Sequence, residues 1–121
     1  MAKKKILIVD DEEDISFSLK EIIENKGCEV FATVKNEDAW EIFQKERPEV
    51  CLLDIHMPFS GFDGIELLRR IRAIDKNVKC LFLTRIEDNE TKETARALGV
   101  NEYFEKPLDG EEFDKLIEYV T

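Results

Sequence analysis

Five short apolar runs alternate with five segments of helical period along this chain, and few architectures accept that pattern. The runs are Lys5–Val9, Cys28–Thr33, Val50–Leu53, Lys79–Leu83 and Glu102–Phe104. They are largely continuous, as in parallel strands buried on both faces. The intervening apolar stripes are Leu19, Ile22 and Ile23, then Ala39, Trp40 and Phe43, then Ile65, Leu68, Ile71 and Ile74. Ala95 and Leu98 mark the fourth, and Phe113, Leu116, Ile117 and Val120 the fifth. Gly27 and Gly99 follow the first and fourth helical segments, Arg47-Pro48 closes the second, and Asp63 stands where it can cap the third. Strand–helix alternation predicts a parallel sheet covered by helices, and right-handed crossovers make it a doubly wound, three-layer α/β domain. The chain has 121 residues, enough for one core and too few for two, so 1–121 is expected to be one domain. The fifth helical segment is the last element, so no output domain is expected after it.

Composition excludes several classes of function. Charged residues are 38% and hydrophobic residues 43%, a balance that suits a small soluble globule. The net charge of −10 argues against nonspecific nucleic-acid binding, which needs a basic footprint. Lys3-Lys4-Lys5 is a solvated lead-in to the first strand. No apolar stretch approaches the roughly 20 residues that span a bilayer, and no secretory leader is expected. Cys28, Cys51 and Cys80 form no C-x-x-C pair and the chain holds one histidine, which argues against zinc. Cys51 and Cys80 lie in apolar runs and are expected to be reduced core residues in a cytoplasmic protein.

Carboxylates mark the ends of two runs. Ile6-Leu7-Ile8-Val9 ends on Asp10-Asp11, and Val50-Cys51-Leu52-Leu53 ends on Asp54. In an open parallel sheet, sites form outside the carboxyl ends of the strands. Three carboxylates there repel one another unless a cation or a phosphoryl transfer gives them a purpose. Thr84 follows the fourth run and Lys106-Pro107 the fifth, with Tyr103 three residues before the lysine. Each feature alone has a plainer reading. Acidic residues after a strand commonly serve a helix N-terminus, a Lys-Pro is a turn, Thr has β-propensity, and a strand Tyr packs with its hydroxyl wet. Together, at successive strand ends, they favour a site.

The set Asp10-Asp11, Asp54, Thr84, Tyr103 and Lys106-Pro107, in this order and at these strand ends, resembles a response-regulator receiver domain of two-component signalling, of the chemotaxis-regulator type. The resemblance runs from Lys4 to Val120. It implies a flavodoxin-like, five-stranded sheet in the order 2-1-3-4-5 with five helices. It implies that Asp54 accepts a phosphoryl group from a histidine kinase or phosphotransfer protein. Asp10, Asp11, Asp54 and the backbone carbonyl of His56 would hold Mg²⁺, which prefers hard oxygen donors. Lys106 would pair with Asp54 and then with phosphate, and the Thr84 hydroxyl would donate to phosphate. Inward movement of Thr84 would let Tyr103 turn from exposed to buried. The fourth helix, fifth strand and fifth helix would present the result to a downstream protein. The domain would catalyse only its own phosphoryl transfer and autodephosphorylation, with no direct nucleic-acid or membrane contact.

Two features depart from the family pattern. Met57-Pro58 is followed by Phe59-Ser60-Gly61-Phe62 before Asp63-Gly64, so the loop after Asp54 is two residues longer than usual. It either shields the site or contacts a partner, or is a tolerated extension, and the last is favoured. Arg85 stands where the family has a small residue. Two placements are open: over the site, against Asp54 or phosphate, or away from it, in solvent or on Glu87 or Asp88. Arg85 and His56 are therefore candidates for controlling access to Asp54. Phe17, offset from its helical stripe, and Ile15 are candidates for kinase docking, whereas Trp40 is expected to pack. Three rival classes were weighed. An aspartyl phosphatase needs an acid where His56 stands. A flavin-type binder needs a phosphate cradle where Asp10-Asp11-Glu12-Glu13-Asp14 would repel phosphate. A phosphorylation-independent pseudo-receiver acting as an interaction module would not need the intact acidic set.

Overall fold

In the computed structural model, which describes residues 3–85 and 87–121, strand β1 (Lys5–Val9) pairs in parallel with β2 (Glu29–Thr33) on one side and β3 (Val50–Leu53) on the other. Strands β4 (Lys79–Thr84) and β5 (Glu102–Glu105) extend the sheet beyond β3, giving the order β2-β1-β3-β4-β5. The connections are helices α1 (Glu13–Asn25), α2 (Asn36–Glu46), α3 (Gly64–Ile74) and α4 (Asn89–Ala97), and α5 (Gly110–Val120) follows β5. This is the three-layer arrangement the alternation predicts.

The period of two along each strand sorts the core into two halves. Ile6 and Ile8 of β1, Val50 and Leu52 of β3, and Leu81 and Leu83 of β4 face α1 and α5, where Leu19, Ile23, Leu116, Ile117 and Val120 meet them. Leu7, Val9, Cys51, Leu53, Cys80 and Phe82 face the other way, onto α2, α3 and α4. Both sides of the central strands are dry, and each fully buried Leu, Ile or Val contributes roughly 1.5–3 kcal/mol. Cys51 and Cys80 are register partners on β3 and β4, and both are fully buried. The helices do not share the core evenly. Helix α3 buries Ile65, Leu67, Leu68 and Ile71, but Ala95 is the one buried residue of α4.

Local chemistry sets the boundaries. Asp63, Asp88 and Asp109 cap α3, α4 and α5 by accepting from the backbone N–H three residues on, at 2.8–2.9 Å. Gly27 and Gly99 take φ of +91° and +82° after α1 and α4. Arg47 ends α2 in the left-handed region with φ of 47° and lays its guanidinium over the Phe43 ring. Strand β2 starts at Glu29 rather than Cys28, because the Cys28 amide turns back to the Ile23 carbonyl. Strands β4 and β5 run one residue further than their apolar runs, since Thr84 and Glu105 still pair. Ile74 falls outside the core, 45% exposed in the last turn of α3. Among the described residues, no helix is long and apolar enough to cross a membrane.

Candidate functional site

The sheet register assembles the site. Val9 pairs with Leu53, so the next residues, Asp10 and Asp54, leave β1 and β3 side by side. Thr84 pairs with Glu105, and the following amide, that of Lys106, donates to the Thr84 carbonyl at 2.7 Å. Four strand ends thereby converge on Asp54. Its Oδ1 accepts from the Thr84 hydroxyl at 2.8 Å and from the His56 amide at 3.1 Å, and its Oδ2 accepts from Lys106 Nζ at 2.9 Å. Asp10 Oδ2 also receives Lys106 Nζ, at 2.9 Å. The peptide bond between Lys106 and Pro107 is cis.

Carboxylate oxygens of Asp10, Asp11 and Asp54 lie within 4.8 Å of one another, with Asp11 exposed and the other two buried. Burial raises the Asp10 carboxyl to about 6, against the opposing pull of Lys106. Burial also works against the charge on Lys106, but hydrogen bonds to Asp10 and Asp54 outweigh it and hold the ammonium well above its ordinary value. Asp10, Asp11, Glu12 and Asp54 together face two cations, Lys106 and Arg85. An all-oxygen donor set with two surplus negative charges fits a hard divalent cation.

Asp54 sits in a cleft of about 670 Å³ between the loops that follow β1, β3 and β4. The β3–α3 loop forms one wall. Its Ser60 Oγ accepts from the Asn36 amide at 2.9 Å, the Asn36 Nδ2 donates to the Phe62 carbonyl at 2.8 Å, and the Gly61 amide donates to Glu37 Oε1 at 2.9 Å. The extension is thus tied to the first turn of α2. Of its two aromatics, Phe62 packs on the core beneath the Arg70 guanidinium, 3.9 Å from its ring centroid, whereas Phe59 is 83% exposed. Gly64 closes the loop. A Cβ there would lie 2.1 Å from the Asp54 carbonyl oxygen, so only glycine lets α3 start this close to Asp54.

The two candidates for controlling access differ in placement. The His56 imidazole is exposed and makes an ion-pair contact with Glu87, on the loop after β4. Arg85 lies largely in solvent, one of its two open placements, but its partner is neither Asp54, Glu87 nor Asp88. Its Nη2 donates to Glu12 Oε1 at 2.9 Å, across the cleft mouth. Glu12 was not singled out in the sequence, where an acid opening a helix looks like a dipole residue. Its side chain makes no cap bond, and its Oε1 also receives Lys106 Nζ at 3.1 Å.

Tyr103 pairs with Phe82 across β4 and β5 and packs edge-on against it, ring centroids 6.0 Å apart. Among the described residues, its buried hydroxyl has no hydrogen-bond partner. Burial, with Glu87 and Glu105 nearby, pushes its ionisation up to about 12. Phe17 is exposed on α1, as its offset from the stripe predicts, and Trp40 stacks on Phe43 against the core.

The sequence model described as response regulator receiver domain matches residues 6–118. The chain belongs to the response regulator receiver family. This receiver is 37% identical over 112 residues to sporulation initiation phosphotransferase F of Bacillus subtilis, covering 93% of the chain and 89% of that protein. It is 31% identical over 117 residues to the alkaline phosphatase synthesis transcriptional regulatory protein PhoP of the same organism, but covers 48% of that longer protein against 97% of the chain. Among solved structures it resembles a CheY-like receiver domain protein from Methanospirillum hungatei JF-1, with a TM-score of 0.87 and 28% identity over 98% of this chain and 94% of that one. Chemotaxis protein CheY4 of Vibrio cholerae gives a TM-score of 0.85 at 28% identity, covering 99% of this receiver and all of that chain. Receivers are signalling domains, and the acidic pocket typical of them is the Asp10, Asp11 and Asp54 cluster here.

Proposed function

We propose that residues 1–121 act as one receiver domain in which Asp54 accepts a phosphoryl group from the phosphohistidine of a histidine kinase or phosphotransfer protein. The observation that carries this reading is the convergence of Lys106, Thr84 and the Asp10–Asp11 pair on the two Asp54 oxygens. In the reaction the P–N bond to the donor histidine breaks and a P–O bond to an Asp54 oxygen forms, leaving an acyl phosphate. Asp10, Asp11, Asp54 and the His56 backbone carbonyl would hold Mg²⁺, which when bound offsets the charge of the phosphoryl oxygens. Lys106 passes from Asp54 to a phosphoryl oxygen, keeping the buried charge paired. Thr84 turns its donated proton to another. Positioning and charge compensation are the protein's whole contribution, which is what phosphoryl transfer demands, and no other turnover is assigned to it.

The readout is the face built by α4, β5 and α5. Thr84 and Tyr103 lie on adjacent strands beneath α4, whose single buried residue makes it the helix most easily shifted. A downstream protein is the reader. A net charge of −10 speaks against direct nucleic-acid contact, and three buried thiols suit the reducing cytoplasm. Incubation with acetyl phosphate and Mg²⁺ should add one phosphoryl group per chain, read as a mass increase. Asp54→Ala should take none, and label that survives this change sinks the assignment.

A further inference from the structure

Glu12 stands at the N-cap position of α1 and does no capping. Its Oε1 instead lies between two cations, Lys106 Nζ at 3.1 Å and Arg85 Nη2 at 2.9 Å. A chain of alternating charge therefore runs from the buried acceptor to solvent: Asp54, Lys106, Glu12, Arg85. Side-chain exposure rises along it, from 2% at Lys106 through 32% at Glu12 to 67% at Arg85. The last link joins the loop after β1 to the end of β4, across the mouth of the cleft that contains Asp54.

An ammonium carries three protons. Those of Lys106 serve three carboxylates, Asp10, Asp54 and Glu12. Until transfer takes the charge from Asp54, no proton is free to meet an incoming phosphoryl oxygen unless one of these acceptors is released. Glu12 is the one to go, since its contact is the longest and its carboxylate the most exposed of the three. It is also a negative charge on the path of a dianionic donor. Arg85 bears on both effects, because it shares the oxygen that Lys106 holds. It weakens the grip of Glu12 on Lys106 and screens its charge from the incoming group.

Resting on the reading of Asp54 as acceptor, we propose that Glu12 and Arg85 form a gate to it. Glu12 competes with the phosphoryl group for Lys106, and Arg85 sets how strongly it competes. Arg85 is a positioning residue that acts through Glu12.

The two residues should then have opposite effects on labelling by acetyl phosphate with Mg²⁺, where the P–O bond to acetate breaks, a P–O bond to Asp54 forms and acetate leaves with the electron pair. Glu12→Ala should label about fivefold faster at low donor concentration, and Glu12→Gln should fall between it and the parent. Arg85→Ala should label about threefold slower, the size expected of an exposed ion pair, with the deficit fading as salt rises. Arg85→Lys should recover most of the parental rate. In the Glu12→Ala background, Arg85→Ala should change nothing. A persisting Arg85 effect there would mean direct contact with phosphate, and parental rates in both single variants would mean a surface ion pair only. Either result overturns the gate while leaving the acceptor in place. A parent chain that takes no label at Asp54 defeats the acceptor reading and the gate together.

Discussion

The Thr84 hydroxyl donates to Asp54 Oδ1 across 2.8 Å, so a side-chain hydrogen bond ties the end of β4 to Asp54. The same hydroxyl accepts from the Ile55 amide at 3.4 Å, which links it to the β3–α3 loop as well. Removing it should cost the net worth of one buried hydrogen bond, about 1 kcal/mol, equivalent to about a fivefold lower labelling rate. Thr84→Ala should show that loss with acetyl phosphate, and Thr84→Ser, which keeps the hydroxyl, should label at nearly the parental rate. Equal rates for the Ala and Ser variants would remove the hydroxyl from the reaction.

Asp10 gives the site a pH signature. Folding lifts its carboxyl from 3.8 to about 6, because burial disfavours the charged form. Between those values the folded chain binds more protons than the unfolded chain at this position, so the Asp10 contribution to stability falls as pH rises from about 4 to 6. Asp10→Asn should therefore match the parent near pH 4 in chelator and become progressively more stable than it towards pH 7. Urea denaturation at a series of pH values reads the difference, and a constant gap would contradict it.

Divalent cation should relieve the same strain. Binding to the folded state alone adds about 2.7 kcal/mol at a hundredfold excess over Kd. Melting curves in chelator and in Mg²⁺ should differ by several degrees at pH 7, and the difference should shrink in both Asp11→Asn and Asp54→Asn. An unchanged gain in both variants would place the ion elsewhere.

Among the described residues, the buried Tyr103 hydroxyl has no partner. Leaving such a group dry costs about 1–3 kcal/mol of lost hydration. Tyr103→Phe keeps the edge-on packing against Phe82 and should raise the unfolding free energy by about 1 kcal/mol. A fall of that size would mean that the hydroxyl finds a donor or acceptor in solution.

Gly64 admits no side chain. A Cβ 2.1 Å from the Asp54 carbonyl oxygen forces α3 and the β3 terminus apart. Gly64→Ala should destabilise the fold by more than about 2 kcal/mol and slow labelling at Asp54, because the acceptor's own backbone must move. An Ala variant with parental stability would mean the loop yields freely.

The fold was legible because its signals are redundant. Val50–Leu53 is apolar at every position, as a strand covered on both faces must be, and the Leu19, Ile22 and Ile23 stripe has one helical face to serve. The strand-end residues Asp10, Asp54 and Thr84 were legible for a related reason: each is the first polar group after an apolar run, whereas Lys106 stands one residue beyond the polar end of β5 and was legible from its place in the Lys106-Pro107 pair. Glu12 was not, because the sequence gives an acidic residue at a helix start the same appearance whether it faces the backbone or a lysine 94 positions away. The partner of Arg85 was hidden likewise, since a contact over 73 positions leaves no local trace. Asn36 escaped notice for being an ordinary helix opener, although its side chain is fully buried and pins the Phe59–Phe62 loop.

The uneven share of the core has a dynamic consequence. Thr84 ends β4, and five residues later the chain enters α4. A change in the tension of that hydroxyl would therefore reach the helix with the smallest anchorage in the core. Helix α3, with its deep row of leucines and isoleucines, acts as ballast on the same side of the sheet. A displacement of a fraction of an ångström at Asp54 would find one neighbour too heavy to move and one light enough to follow, so the placement of the apolar side chains would set the direction of any signal.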